Sequence, residues 1–216
     1  MTTTTDFLLA IEDLTVSFDG FKAVDSLTMY IDKNELRVVI GPNGAGKTTL
    51  LDLICGKTKS SSGSISFKNK QMTKMAEHEI VRAGIGRKFQ TPSIYENLTV
   101  YQNLEVSYPE GRGVFGSLFF KTTDEVIKRV NEVQDPELLM LDEPVAGMSA
   151  KERDETAELL NRICQNRSVI VIEHDMEFVK KIARKVTVLH QGKILAEGTM
   201  DNVQADEKVI EVYLGH

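Results

Sequence analysis

Tryptophan is absent from this 216-residue chain, and cysteine occurs only at Cys55 and Cys164. The two thiols lie far apart with no Cys-x-x-Cys or Cys/His ligand spacing. That excludes a disulfide framework and a thiolate zinc site, and fits idle thiols in a reducing compartment. An excess of basic charge is also missing. Lys and Arg number 26 against 32 Asp and Glu, a net charge of −6, so no global cationic field exists to hold nucleic acid or an anionic membrane. No apolar run approaches the roughly 18–20 residues that span a bilayer. The longest candidate is the short stretch Val114 to Phe120. Residues Met1 to Asp6 carry neither a positive n-region nor a small-residue cleavage site, so secretion is not signalled and a cytoplasmic location is expected.

What is present reads as one globular domain over 1–216. Hydrophobic residues make up 41% and charged residues 27%, near the averages of folded chains. Imperfect alternation from Phe7 to Phe18 and from Ala23 to Ile31, around the turn signal Asp19-Gly20, predicts two half-buried strands. Apolar runs at Glu35 to Ile40, Leu138 to Leu141 and Ser168 to Ile172 predict strands buried on both faces. Helices are expected at Lys47–Cys55, Ala76–Ala83, Tyr101–Val106, Asp124–Val133, Lys151–Asn166, Met176–Ala183 and Glu207–Leu214. Ser60 to Gly63 reads as a loop, Ser64–Lys68 and Gly84–Gln90 as short strands, and Lys185–Ala196 as a hairpin around Gln191-Gly192. Strands alternating with helices imply an α/β fold with a mostly parallel core sheet. The opening strands and the hairpin are expected to form an antiparallel β addition.

The chemistry gathers in two places. Gly41-Pro-Asn-Gly-Ala-Gly-Lys-Thr48 fits G-x-x-x-x-G-K-[ST], with a buried strand before it and a helix after it. Glycines let the backbone curl so that successive N–H groups of Gly41, Asn43, Gly44, Ala45, Gly46, Thr48 and Thr49 can face phosphate, and the helix N-terminus adds partial positive charge. Lys47 would bridge the β- and γ-phosphates of ATP and the Thr48 hydroxyl would ligate Mg²⁺. The second place is Asp142-Glu143, two acids at the C-terminal end of a buried strand, where α/β folds bind ligands. Asp142 would hold Mg²⁺ through water, and Glu143 would polarise the attacking water.

Together these residues resemble the nucleotide-binding subunits of ABC transporters, P-loop ATPases, over nearly the whole chain. The resemblance implies further roles. Gln90, 43 positions after Lys47 (90 less 47), matches the family's Q-loop glutamine, which reaches Mg²⁺ and the lytic water and feels the membrane subunits. His174, 32 positions after Asp142 (174 less 142), matches the switch histidine that contacts the γ-phosphate and orients Glu143. Phe18 matches the aromatic that stacks on adenine. Ala146-Gly-Met-Ser149 stands in the place of the D-loop but lacks its usual aspartate. Implied partners are transmembrane permease subunits, a second ATPase subunit in a homo- or heterodimer, and indirectly an extracytoplasmic solute-binding protein. Implied too is a peripheral place on the inner face of the membrane, with permease contacts around Gln90 and Thr91 to Phe120. Within the family, Gly86 to Pro92, Glu96 to Leu104 and Asp142 to Gly147 are similar to importers of branched-chain amino acids and urea, and Arg87-Lys88-Phe89-Gln90 is most similar to the urea type.

One departure is large. Between Gln90 and Asp142 there is no LSGGQ-like signature loop. A helical subdomain is expected at about 91–135, and it looks incomplete. The signature, its helix and a connector would take roughly 25–30 more residues, and their place is between Val133 and Gln134. Either the chain lacks the segment, or a stretch belongs there that the sequence does not represent. The usable context of Asp142, Glu143 and His174 favours the second reading. A true deletion would favour a nucleotide-binding regulator that does not hydrolyse.

Overall fold

The computed structural model describes residues 6–88 and 136–214. Gln90, the expected helices at 101–106 and 124–133, the helical subdomain and the Val133–Gln134 junction therefore lie outside the described residues. The chain divides into two units, 1–90 with 137–216 and 91–136, and the account below concerns the first.

Its larger sheet contains six strands: β3 (Leu36–Ile40), β6 (Ile85–Lys88), β7 (Leu138–Asp142), β8 (Ser168–Ile172), β9 (Lys185–His190) and β10 (Lys193–Gly198). They lie in the order β10-β9-β3-β8-β7-β6, parallel from β9 to β6. The smaller sheet is antiparallel, with β1 (Leu9–Phe18), β2 (Phe21–Ile31), β4 (Ser62–Phe67) and β5 (Lys70–Gln71) in the order β2-β1-β4-β5. Helix α1 (Lys47–Ile54) buries Leu50, Leu51, Leu53 and Ile54 in one core shared by the small sheet and one face of the large sheet. Each such side chain contributes about 1.5–3 kcal/mol. The opposite face packs on α3 (Ala150–Ile163) and α4 (Met176–Ile182). Alternation decides which residue goes where: along β8, Ile170 and Ile172 enter the first core, and Val169 and Val171 the second.

The hairpin does not join the opening strands as expected. β9 pairs in parallel with β3, and β10 caps that edge antiparallel, so the hairpin extends the large sheet. The physical reason is its apolar content: all four residues from Val186 to Leu189 are buried, which suits a covered strand beside β3. The expected loop at 60–63 is also partly strand, because Ser62 pairs with Thr15. Two further elements, β5 and the short helix α5 (Met200–Gln204), escaped the sequence reading, while α2 (Glu77–Arg82) and α6 (Glu207–Leu214) fall where expected.

The strand β3 holds one buried charge, Arg37. Its Nε donates to Glu35 at 2.5 Å, Nη1 to Glu197 at 2.6 Å and to the Thr187 hydroxyl at 2.8 Å, and Nη2 to the Tyr30 carbonyl at 2.9 Å. These bonds tie β3 to β2, β9 and β10, and they satisfy a guanidinium that burial would otherwise penalise.

Candidate nucleotide site

Three parallel strands, β3, β8 and β7, end side by side and deliver the candidate residues. Past β3 the glycine loop turns into α1, whose N-cap is Gly46 at φ +97°, without a side-chain cap. The first N–H groups of α1 therefore lack a side-chain acceptor, the usual condition of an anion-binding helix end. Glycine is required sterically. A Cβ on Gly46 would lie 2.3 Å from the Ala23 carbonyl oxygen, and one on Gly41 would lie 2.2 Å from that of Leu189. The loop is stitched to its surroundings through the hairpin turn, since Gly192 N–H donates to Ala45 at 3.1 Å and Asp25 N–H donates to Gly192 at 2.9 Å.

Lys47 folds back over this loop, its Nζ donating to the carbonyls of Gly41 at 2.8 Å and Pro42 at 2.9 Å. Burial lowers the pKa of the ammonium, and the nearby Glu143 and Asp142 carboxylates oppose that fall. Asn43, Gly44 and Thr48 are exposed, whereas Ala45 is buried and Thr49 partly so. Phe18 ends β1 opposite Phe21, and both rings are exposed, at 49% and 65%. Phe18 is therefore open to a ligand, as is Phe21.

Asp142 closes β7 almost wholly buried. Desolvation raises its pKa, and the Arg87 guanidinium and the Thr48 hydroxyl pull it back. Arg87 Nη2 stands 3.3 Å from Asp142, and Nη1 binds Asp52 of α1. Glu143 follows in a left-handed conformation, φ +48°, which a non-glycine residue adopts only where its surroundings hold it, and its N–H donates to the Ile172 carbonyl at 3.0 Å. This bond brings the end of β7 to the end of β8. Across it, His174 Nδ1 lies 3.6 Å from the Glu143 carboxylate. Sequence reasoning missed Arg87 and Glu173 as members of this cluster. Glu173 carried a signal, an acid directly after the apolar run of β8, whereas Arg87 in Ile85-Gly-Arg-Lys88 carried none.

Ser149, expected within the D-loop, is the N-cap of α3. Its hydroxyl accepts from Glu152 N–H while the Glu152 carboxylate accepts the Ser149 N–H. The residues fit a magnesium nucleotide. The loop backbone is exposed at Asn43 and Gly44, with nothing within 4 Å of a Cβ placed on Gly44, and Thr48 and Asp142, joined by a hydrogen bond, offer the hard oxygen donors that Mg²⁺ takes.

Comparison with known proteins decides the family. The ABC transporter family model matches residues 24–172, and a branched-chain amino acid ATP-binding cassette transporter model matches 193–216. The chain belongs to the ABC transporter ATP-binding family. It is thus an ATPase subunit of a transporter complex with permease partners, its hydrolysis coupled to transport. The cassette is 30% identical to the high-affinity branched-chain amino acid transport ATP-binding protein LivG of Salmonella typhimurium, covering 96% of this chain and 98% of that one. It is 29% identical to a probable branched-chain amino acid transport ATP-binding protein of Archaeoglobus fulgidus, over 96% and 95%. Among solved structures it matches a nucleotide-free ATP-binding cassette from an ABC transporter, with a TM-score of 0.80, 28% identity, and coverage of 97% and 100%. The Salmonella alignment runs over 249 positions against 216 residues (249 less 216), so at least 33 of them face no residue of this chain. Among the described residues no helix is long and apolar enough to cross a membrane.

Proposed function

We propose that this cassette energises an importer of branched-chain amino acids, working as a peripheral subunit on the inner face of the membrane. The observation that carries the solute is the run of relatives so named, 28–30% identical over 96% of the chain, together with the C-terminal match at 193–216. The likeness of Arg87-Lys88-Phe89-Gln90 to urea-type subunits makes urea the second solute to test.

In this reading Lys47 and the N–H groups of Gly44 to Thr49 hold the β- and γ-phosphates of ATP, and Phe18 carries the adenine. Thr48, Asp142 and Gln90 would hold Mg²⁺, which would supply positive charge to offset the negative charge developing on the phosphates. Glu143 orients and deprotonates the lytic water, and His174, 3.6 Å away, fixes the Glu143 carboxylate and meets the γ-phosphate. Two ATPase subunits close on two nucleotides and shift the permeases between inward- and outward-facing states, with a solute-binding protein delivering cargo outside.

The test is uptake of radiolabelled leucine and of urea by membrane vesicles carrying the whole transporter. ATP-driven leucine uptake is expected, and it should stop with Glu143→Gln while nucleotide binding persists. Urea uptake without leucine uptake overturns the solute. Undiminished transport by the Glu143→Gln complex overturns the role of Glu143.

A further inference from the structure

One buried acid plays no part in the mechanism above. Glu173 follows β8, and its side chain is 1% exposed. Its Oε1 accepts the Val145 N–H at 3.3 Å, in the turn just after Glu143. Its Oε2 accepts the N–H groups of His174 at 3.0 Å and Asp175 at 3.4 Å. The backbone of Glu173 is held as well, its N–H reaching the Val39 carbonyl of β3 at 3.4 Å. One carboxylate thus joins the turn after β7 to the turn after β8, anchored on the strand that leads into the glycine loop. His174 Nδ1 lies between two acids, 3.6 Å from Glu143 and 3.9 Å from Glu173.

We propose that Glu173 is a positioning residue for ATP hydrolysis: its carboxylate clamps the Val145 turn to the His174 backbone and so sets the approach of Glu143 to His174. The inference rests on the roles assigned above to Glu143 and His174. A carboxylate is needed because N–H donors converge on both oxygens. Glutamine has one oxygen, and whichever way its amide turns, an N–H of the protein faces an NH₂ group. Aspartate keeps both oxygens but is one methylene too short to reach Val145 and His174 together.

The experiment measures ATPase kinetics of the subunit with its permease partners for Glu173→Gln, Glu173→Asp, His174→Ala and the Glu173→Gln/His174→Ala double variant. Both Glu173 variants should lose about tenfold or more in kcat while KM for ATP moves less than about threefold, since Lys47 and the loop N–H groups that hold most of ATP are untouched. Because Glu173 acts through His174, the double variant should turn over no more slowly than His174→Ala. In the isolated subunit, amide exchange at Val145 should speed up in Glu173→Gln. Should that variant fail to fold, the aspartate variant decides by the same kcat and KM split. A wild-type kcat in the folded variants, a loss of equal size with and without His174, or unchanged exchange at Val145 overturns the clamp. Wild-type turnover in His174→Ala alone overturns the site assignment and the clamp with it. An inactive His174→Ala beside a fully active Glu173→Gln overturns the clamp alone.

Discussion

Removing the guanidinium of Arg87 strands two acids at once, and the cost can be worked from their burial. The Arg87 side chain is 6% exposed, Asp142 7% and Asp52 19%. Breaking a buried pair by deleting one partner costs about 3–5 kcal/mol, because the remaining charge keeps its desolvation penalty. Asp52 has relief: it is partly wetted, and Lys57 Nζ lies 3.7 Å away. Asp142 keeps the Thr48 hydroxyl and the nearby Lys47 ammonium. The lower end, about 3 kcal/mol, is therefore expected for Arg87→Ala, out of the roughly 5–15 kcal/mol that holds a domain together. Arg87→Lys should recover only part of it, since one ammonium cannot span both carboxylates as a forked guanidinium does.

The assay is urea unfolding followed by circular dichroism, a suitable probe for a chain without tryptophan. Adding Asp142→Asn to Arg87→Ala removes the stranded charge and should restore stability, although Asp142→Asn alone destabilises. That sign reversal is the signature of coupling. A loss below about 1 kcal/mol, or additive effects of the two substitutions, would refute the reasoning. In the same variant the Asp142 carboxyl should climb further above the ordinary carboxylate range, since burial already pushes it up and Arg87 restrains it. Nucleotide binding should then need more Mg²⁺ than in the wild type.

Three further outcomes are expected. Lys47→Ala should weaken ATP binding by removing the phosphate cation, and an unchanged affinity in a nucleotide titration would sink that assignment. Asp175 caps α4 by accepting from Glu177 and Phe178 N–H, both at 3.0 Å. The Phe178 bond lowers its pKa most, desolvation opposes it, and the hydrogen bond and charge of Arg153 lower it further. Its contribution is therefore present above the usual carboxylate range near 3.9 and lost as pH falls through the depressed value. Asp175→Ala should cost about 1 kcal/mol at pH 7, and the gap to wild type should close in acid; a gap independent of pH refutes the charge contribution. Tryptic mapping of the purified chain should settle the missing segment. A single peptide from Val130 to Lys151, with an intact mass of 24.1 kDa, means that Val133 is bonded to Gln134 and the signature is gone. A chain heavier by about 3 kDa without that peptide means that a signature segment lies between them.

What could be read in the sequence was what is written locally. The runs of β3, β7 and β8 announce strands covered on both faces, and the glycines of the phosphate loop announce a backbone that no Cβ can follow. The hairpin was recognised as a hairpin, but its sheet was not, because the parallel pairing of β9 with β3 joins residues roughly 150 positions apart and leaves no mark in either run. Ser62 and Gly63 carry loop chemistry and become strand only because β1 offers Thr15 as a partner. Thr199, an N-cap residue followed by the five-residue α5, did carry a local signal, but one short turn without periodicity is easily read as coil.

The buried charges obey a different logic. Arg37 interrupts and Glu173 follows a run of apolar residues, Arg87 sits in the short strand β6, and each joins segments remote in sequence: Arg37 links β3 to Glu197, Arg87 links β6 to Asp52 and Asp142, and Glu173 links β8 to Val145. Burying an unpaired charge is too costly to persist, so a charge in such a position implies a partner, although the sequence does not say which. In this cassette two of the three charges reach the acids at the end of β7, Arg87 bonding Asp142 itself and Glu173 bonding Val145, two residues past Glu143. Candidate catalytic acids stand out by their place at a strand end. What holds them is found by asking of each buried charge what it must be touching.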